Sequence, residues 1–420
     1  MIERKVFKQL LSQKVTNKIV ILIGAGQVGK TTLLKALYDE LSKNFHTMYL
    51  DLDIYSNHEK ISSLEKLINY LKLNGYKINQ KEKYYLLLDE FQRYTELTLV
   101  MKNLYDNYPN IKIYASGSSS LTIKSNVQES LAGRKRIFYI YPLDFAEYLR
   151  FKNAVNEIES LSNLKTINGS GLNKLVNNLQ SYWEQFLVYG GYPEVALQTS
   201  NKRKIEVLES IFDLYVKRDL IEYLNIKKIL EVKKIIEFLA VNHGRKIKYE
   251  EIAQISSLKF NEVKNHIGIL KETFITLILR PFYSNKNKEL VKIPKIYFID
   301  NGVRNYFINN FNNVDLRNDK GILLESVIIS EILKSGVKEN QLKYWQDKNK
   351  HEVDLILDYV HKQTAVEIKY KLKLKRADII GLKKFSELYP DAKKYLINLD
   401  YQKCENGINY ILPYNVQSYF

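Results

Sequence analysis

Nine consecutive residues, Gly24, Ala25, Gly26, Gln27, Val28, Gly29, Lys30, Thr31 and Thr32, set small residues, one lysine and two hydroxyls in the spacing G-x-x-x-x-G-K-T. Such a loop lets backbone N–H groups close around a β-phosphate, while Lys30 reaches the β- and γ-phosphates and the Thr31 hydroxyl ligates Mg²⁺. A second acidic signal stands at Asp89 and Glu90, where the apolar run KYYLLLDEFQ ends. In that place Asp89 would hold Mg²⁺ through water and Glu90 would polarise the attacking water. The polar end of IKIYASGSSS offers Ser116 as a γ-phosphate sensor. Far downstream, Glu367 and Lys369 stand two residues apart in AVEIKYK, as do Glu352 and Asp354 in HEVDLIL. Residues i and i+2 share one face of a strand, so each pair can serve a single site.

These groups act only if the right elements carry them. KIVILI (18–23) reads as a strand running into the glycine loop, and LLKALYDELSK behind it has helical spacing. That strand, loop and helix order is the context the phosphate loop requires. The two C-terminal apolar runs read as a β-hairpin centred near Val360 and His361, which sets Asp354 opposite Glu367 and Glu352 opposite Lys369. Directly opposed carboxylates repel, and a cation between them makes sense of the arrangement. The apolar helix GILLESVIISEILKSG (321–336) adds Glu325 and Glu331.

Taken together, the glycine loop, Asp89 with Glu90, the polar strand end and the arginine in LAGR resemble an AAA-type ATPase core over residues 1–150. The resemblance implies a finger arginine that reaches a neighbouring subunit's nucleotide, at Arg134 or alternatively Arg136, and hence a homo-oligomer; a structural salt bridge is the other use for either. Residues 151–235, broken at Tyr189-Gly190-Gly191-Tyr192-Pro193, would form a helical lid, and their GGYP-E resembles a segment of one archaeal and bacterial group of such ATPases. No arginine there stands out as a second sensor. Residues 236–310 resemble a winged helix whose second helix, about Phe260–Lys271, exposes Asn261, Lys264, Asn265 and His266 to DNA, with the lysines of NKNKELVKIPK in a wing. Residues 311–420 resemble the PD-(D/E)xK nuclease superfamily, with Glu325, Asp354, Glu367 and Lys369 in the family's places and Val353 where its proline stands. The family's site implies Asp354 and Glu367 as ligands of Mg²⁺ or Mn²⁺ and Lys369 beside the attacking water. Lys371, Lys373 and Lys375 continue the Glu367 face and could grip a phosphodiester backbone, or serve as a solvated strand edge.

Composition bounds the rest. At 420 residues and 45% hydrophobic content the chain is neither a single small core nor disordered. The fold expected is α/β: a P-loop ATPase core with a parallel sheet, a helical lid, a winged-helix domain and a C-terminal restriction-endonuclease-like α/β domain. One cysteine, Cys404, excludes a disulfide framework and fits a reducing cytoplasm. No run is long and apolar enough to span a bilayer, so a soluble cytoplasmic protein without a membrane partner is expected. A surplus of 17 positive charges suggests a polyanionic partner, although a lysine- and asparagine-rich composition alone can produce it. The function expected is an ATP-dependent motor or remodeller of DNA, duplex or branched, in recombination, repair or defence, with metal-dependent cleavage added if the nuclease-like site works. The alternative is a nucleotide switch that regulates a protein partner or transcription.

Overall fold

In the computed structural model, the apolar runs of the first third are strands β1 (Ile19–Gly24), β2 (Thr47–Asp51), β3 (Tyr84–Asp89), β4 (Ile111–Ser118) and β5 (Lys135–Tyr139). The described residues are 2–420 apart from Asn79, 119–129, 165–169, 217–219, 222–227 and 360–361. The expected hairpin centre at Val360 and His361 therefore lies outside them. The chain divides into two units: Met1–Tyr141 with Asp213–Lys227 and Glu272–Phe274, and Pro142–Phe212 with Lys228–Lys271 and Ile275–Phe420. Among the described residues no helix is long and apolar enough to cross a membrane.

In the first unit the five strands form one sheet in the order β2-β3-β4-β1-β5, parallel throughout. Every residue of β1, β3 and β4 is buried, whereas β2 and β5 at the edges are partly exposed. That difference explains the unbroken apolar runs: a central parallel strand is covered on both faces and has no polar side to alternate. Each fully buried Val, Ile or Leu there stabilises the unit by roughly 2 kcal/mol. The carboxyl ends of β1, β3 and β4 thereby come side by side, where open α/β sheets bind ligands.

The second unit holds an eight-stranded mixed sheet in the order β12-β13-β11-β10-β9-β8-β6-β7. Its strands are β6 (Thr276–Pro281), β7 (Lys295–Phe298), β8 (Leu342–Gln346), β9 (Glu352–Tyr359), β10 (Lys362–Ile368), β11 (Lys393–Ile397), β12 (Lys403–Glu405) and β13 (Ile408–Ile411). A core that includes Trp345, Val353, Ile356, Ala365, Leu382, Phe385 and Leu396 joins the sheet to the helix Ile380–Leu388. β6 pairs in parallel with β8 at Arg280–Lys343 and Pro281–Tyr344, so the sheet runs across the boundary expected between residues 310 and 311.

Helices Val155–Asn163, Ser170–Tyr189, Pro193–Leu197, Asn201–Leu214 and Ile229–Val241 account for the helical patterning of 151–235. The Gly190-Gly191 break has a specific partner. Gly190 takes φ +75°, and a Cβ on it would fall 2.0 Å from the Asp300 carboxylate. That carboxylate accepts the Gly191 N–H at 2.7 Å and caps the helix Asn301–Phe307 through Gly302 N–H at 2.9 Å. One acid thus satisfies donors from two segments at once.

His243, also in this unit, is 3% exposed and accepts the Phe298 N–H on Nδ1 at 3.2 Å. Burial lowers its imidazole to about 3, from about 6.5 in an unfolded chain. Between those values the unfolded chain binds the proton and the folded one does not, so stability is present above pH 6.5 and is lost as pH falls. Denaturant titration should find the second unit about 2 kcal/mol weaker at pH 5 than at pH 7 from this residue. The same acid slope in His243→Leu as in the wild type would show that other groups cause it.

Candidate functional site

The phosphate loop connects β1 to the helix Lys30–Leu41 and passes through left-handed backbone at Gln27, φ +61°, and Gly29, φ +95°. Reversals of this kind turn successive N–H groups toward one point, a cradle for an anion. Lys30, 5% exposed, folds its ammonium back onto the loop carbonyls of Gly24, at 3.0 Å, and Ala25, at 2.8 Å. Arg4, from the start of the chain, holds the loop from outside by donating to Val28 O at 2.9 Å and Tyr141 O at 2.9 Å. Nothing in the spacing around Arg4 marked it.

Asp89 ends β3 and is 1% exposed. Its Oδ2 accepts the Tyr49 hydroxyl at 2.7 Å, and its Oδ1 accepts the Ser116 hydroxyl. Ser116 also accepts the Glu90 N–H at 3.3 Å. The three positions chosen from sequence, Asp89, Glu90 and Ser116, therefore form one hydrogen-bonded group. Burial raises the Tyr49 hydroxyl far above its ordinary value, with the Asp89 bond and charge next, so Tyr49 stays a donor. It too was missed: β2 aligns Tyr49 beside Leu87 and Asp51 beside Asp89, and only strand pairing shows that Tyr49 meets the acid. Glu90 has left-handed backbone at φ +57°, and its carboxylate accepts Gln92 Nε2. A loop of converging N–H groups, a lysine resting on its carbonyls and a carboxylate fixed across from them fit a nucleoside triphosphate with its Mg²⁺.

Arg134 forks onto Asp106 at 2.7 and 3.0 Å, a bidentate pair that raises the guanidinium and lowers the carboxyl. Arg136 donates to Gln13 Oε1 at 3.0 Å. Both arginines considered for the finger thus have partners within their own chain.

The second constellation gathers on the other sheet. β9 and β10 pair antiparallel from Tyr359–Lys362 to Leu355–Val366, and the next step of that register sets Asp354 against Glu367, as the hairpin reading required. Both carboxylates meet Lys369, which is 3.5 Å from Asp354 and closer to Glu367. Asp354 Oδ2 also accepts the Ile368 N–H at 2.8 Å. Glu325, from the helix Lys320–Lys334, joins the group by accepting the Tyr297 hydroxyl and pairing with Lys295 at 3.5 Å. Lys295 bridges onward to Glu352 at 2.5 Å. Glu331 on the same helix does something else: it accepts the Phe145 N–H at 3.1 Å and Gln417 Nε2 at 3.2 Å.

The carboxylates of Glu325, Glu352, Asp354 and Glu367 share this pocket with the ammonium groups of Lys295 and Lys369, and Lys246 reaches Glu352 at 4.0 Å, so among these residues the acids outnumber the bases by one. Burial first and the Asp354 charge second raise Glu325 to about 7, with Lys295 opposing. The same two causes raise Glu367 well above its ordinary value against the pull of Lys369. Burial lowers Lys295 and Lys369, but the carboxylates outweigh it and both ammonium groups end more basic than usual. Glu367 Oε2 is buried with no hydrogen-bond partner. An orphaned carboxylate oxygen beside a surplus of acid fits a divalent cation. Among the described residues, no three His, Cys, Asp or Glu side chains already form a cage for one, since Lys295 and Lys369 stand between the acids.

Lys295, expected among the wing lysines of NKNKELVKIPK, is instead buried at 6% exposure and ion-paired with Glu325 and Glu352, so it tracks no backbone phosphate; sequence reasoning missed Tyr297 and Glu352's partner role. It also overextended β10, which ends at Ile368. Beyond it Lys371 N–H bonds Lys369 O at 2.9 Å and Lys371 Nζ pairs with Asp378 at 2.5 Å, so the chain turns and the lysine face stops.

Upstream, helices Tyr249–Ser256 and Phe260–Glu272 flank a left-handed turn residue, Ser257, and precede the antiparallel pair β6–β7. Asn261, Lys264 and Asn265 are exposed, whereas His266 is half-buried and burial lowers its imidazole. The expected wing holds a short helix, Lys286–Val291, in which Lys286 pairs with Asp358 at 2.7 Å.

Residues 16–149 match the family described as an AAA domain. Residues 180–314 and 320–416 match two domains of unknown function, DUF8612 and DUF4143. Over residues 16–149 the chain is thus similar to AAA domains. The uncharacterized protein MJ1544 of Methanocaldococcus jannaschii is 26% identical over 364 residues, covering 85% of this chain and 76% of its own. An uncharacterized protein of Haemophilus influenzae is 26% identical over 381 residues, 86% of each chain. Among solved structures, the Walker-type ATPase of Pyrococcus abyssi is 17% identical with a TM-score of 0.43, covering 73% of this chain and 96% of that one. The RuvB Holliday junction branch migration motor of Thermotoga maritima is 15% identical with a TM-score of 0.28, covering 69% and 95%. At these scores neither adds to the functional argument.

Proposed function

We propose that the chain is a Mg²⁺-dependent ATP hydrolase that acts on DNA as a homo-oligomer, through a winged-helix segment and a nuclease-like C-terminal site. The observation that carries the DNA half of this reading is the Glu325, Asp354, Glu367 and Lys369 cluster with its orphaned Glu367 oxygen. Surface charge alone would not distinguish it from any basic ATPase.

In the nucleotide site, triphosphate binding draws Lys30 from the carbonyls of Gly24 and Ala25 onto the β- and γ-phosphate oxygens. Thr31 and Asp89 would hold Mg²⁺, which neutralises charge on those oxygens. Tyr49 and Ser116 fix both oxygens of Asp89 and keep it aimed. Glu90 leaves Gln92 to orient the water and take its proton. In the second site, Asp354 and Glu367 would hold Mg²⁺ or Mn²⁺, which supplies the positive charge that a phosphodiester's transition state requires. Lys369 positions water beside that phosphate, and Glu325, held by Tyr297 and Lys295, keeps the acid side of the pocket in place.

A second reading has its own support. Lys295 and Lys369 already stand between the acids, as expected of a former site retained as a surface for a protein partner, with the ATPase as its switch. Turnover measured with no DNA and with single-stranded, duplex and branched DNA separates the two. The DNA reading expects at least one form to raise turnover several-fold, and that form names the substrate. Slow turnover indifferent to all of them favours the switch.

A further inference from the structure

A cavity of about 890 Å³ opens in the second unit between the two helices that flank Ser257 and the strands that follow them. Its walls carry Lys248, Lys264, Arg280 and Lys292 against the single carboxylate of Glu250. All four cationic side chains are exposed, so the cavity is bounded by positive charge that water reaches. Two aromatic rings line it as well, Tyr249 and Phe260, tilted against each other with centroids 6.1 Å apart. Phe260 is 44% exposed at the start of its helix, so part of its ring stays open to water where it lines the cavity. Arg280 lies near enough to Tyr249 for its charge to oppose the burial that raises that hydroxyl.

From this juxtaposition of four cations and an open aromatic ring around one concavity, we propose that the cavity binds a short stretch of single-stranded nucleic acid, with a base stacked on Phe260 and phosphates on Lys248, Lys264, Arg280 and Lys292. Its volume falls within the range of about 300–1,000 Å³ that holds drug-sized ligands, which suits a few nucleotides of one strand. Stacking on an aromatic side chain reads no particular sequence, since every base has a π-face, so this site tolerates any sequence. The inference rests on the DNA reading above and deepens it: groove reading from Asn261 and Asn265 concerns paired DNA, while this cavity takes a strand already separated.

The test is fluorescence anisotropy of the full chain with labelled oligothymidylate, its RNA counterpart oligouridylate, and a duplex, each over a range of salt. The wild type should bind the single strand with a log–log salt slope of about −3, from four phosphates at about 0.7 each. Phe260→Ala should weaken that binding about 5- to 100-fold and leave duplex binding unchanged. Phe260→Trp should retain the affinity, and Lys292→Gln should reduce the slope by about 0.7. Preference for either oligomer supports the cavity and tells whether the strand is DNA or RNA. Unchanged single-strand binding in both Phe260→Ala and Lys292→Gln, with melting curves showing both folded, overturns the cavity while leaving the DNA reading standing. A wild type that binds no nucleic acid of any form overturns both.

Discussion

Replacing Lys30 with alanine should cut ATP hydrolysis by about a hundredfold or more, the usual loss when one preorganised donor to a developing oxyanion is removed. The Lys30 ammonium rests on Gly24 O and Ala25 O, so it stands at the mouth of the loop and needs only to exchange carbonyls for phosphate oxygens. Loss of the side chain removes that charge while the glycine turn and the helix behind it stay intact. Glu90→Gln should behave differently. The amide keeps the shape but cannot take a proton, so nucleotide binding should persist while hydrolysis falls by about 100- to 10,000-fold. Filter binding of ATP beside a phosphate-release assay separates the two variants. Near-normal release by Glu90→Gln would assign proton acceptance to another group, and equal loss of binding in both variants would mean that Glu90 supports the loop and not the water.

The second large effect belongs to the carboxylate cluster. If the site cleaves, DNA should be nicked only with Mg²⁺ or Mn²⁺ present, and Asp354→Ala should reduce nicking by on the order of a hundredfold or more, the several kcal/mol a bound metal contributes. ATP hydrolysis should survive the change. Lys369→Ala should abolish nicking as well, but the two variants part on stability. Asp354 raises both Glu325 and Glu367, so removing it relieves repulsion and should leave the second unit as stable as before or more so. Removing Lys369 strips the ammonium from two buried acids and should cost about 3 kcal/mol. Chemical denaturation read beside the nicking assay yields both quantities from the same preparations. No cleavage by the wild type with either metal, together with an Asp354→Ala variant that melts no lower, would make the cluster a relic and favour the switch reading.

Much of this was legible locally, for reasons that differ by element. A phosphate loop is a contiguous device: its glycines, lysine and hydroxyl are neighbours in the chain, and the strand before and the helix after announce themselves by period. The Asp354–Glu367 opposition was also within reach, because a hairpin's register follows from where it turns and side chains alternate strictly from there. Local order failed where the strand was extended to Lys375, since nothing nearby revealed that Lys371 would be held by Asp378. It failed again at the wing, where Lys286 is tied to Asp358, a residue far along the chain.

By itself, then, the sequence determined the parallel nucleotide-binding sheet, the phosphate loop and the hairpin carrying the acids, since each depends on contiguous residues or on alternation counted from one turn. Only the tertiary structure decided which strands lie beside these. Lys295 and Tyr297 alternate in KIYF just as Glu367 and Lys369 do in EIK, so the signal that they share a face was present. What they face was not. β7 reaches Glu325 and Glu352 because β6 pairs with β8 and adds its hairpin to the edge of the C-terminal sheet. Tyr49 meets Asp89 only because β2 lies next to β3. Strand order is set by burying whole faces against one another across long stretches of chain, and no single segment encodes it.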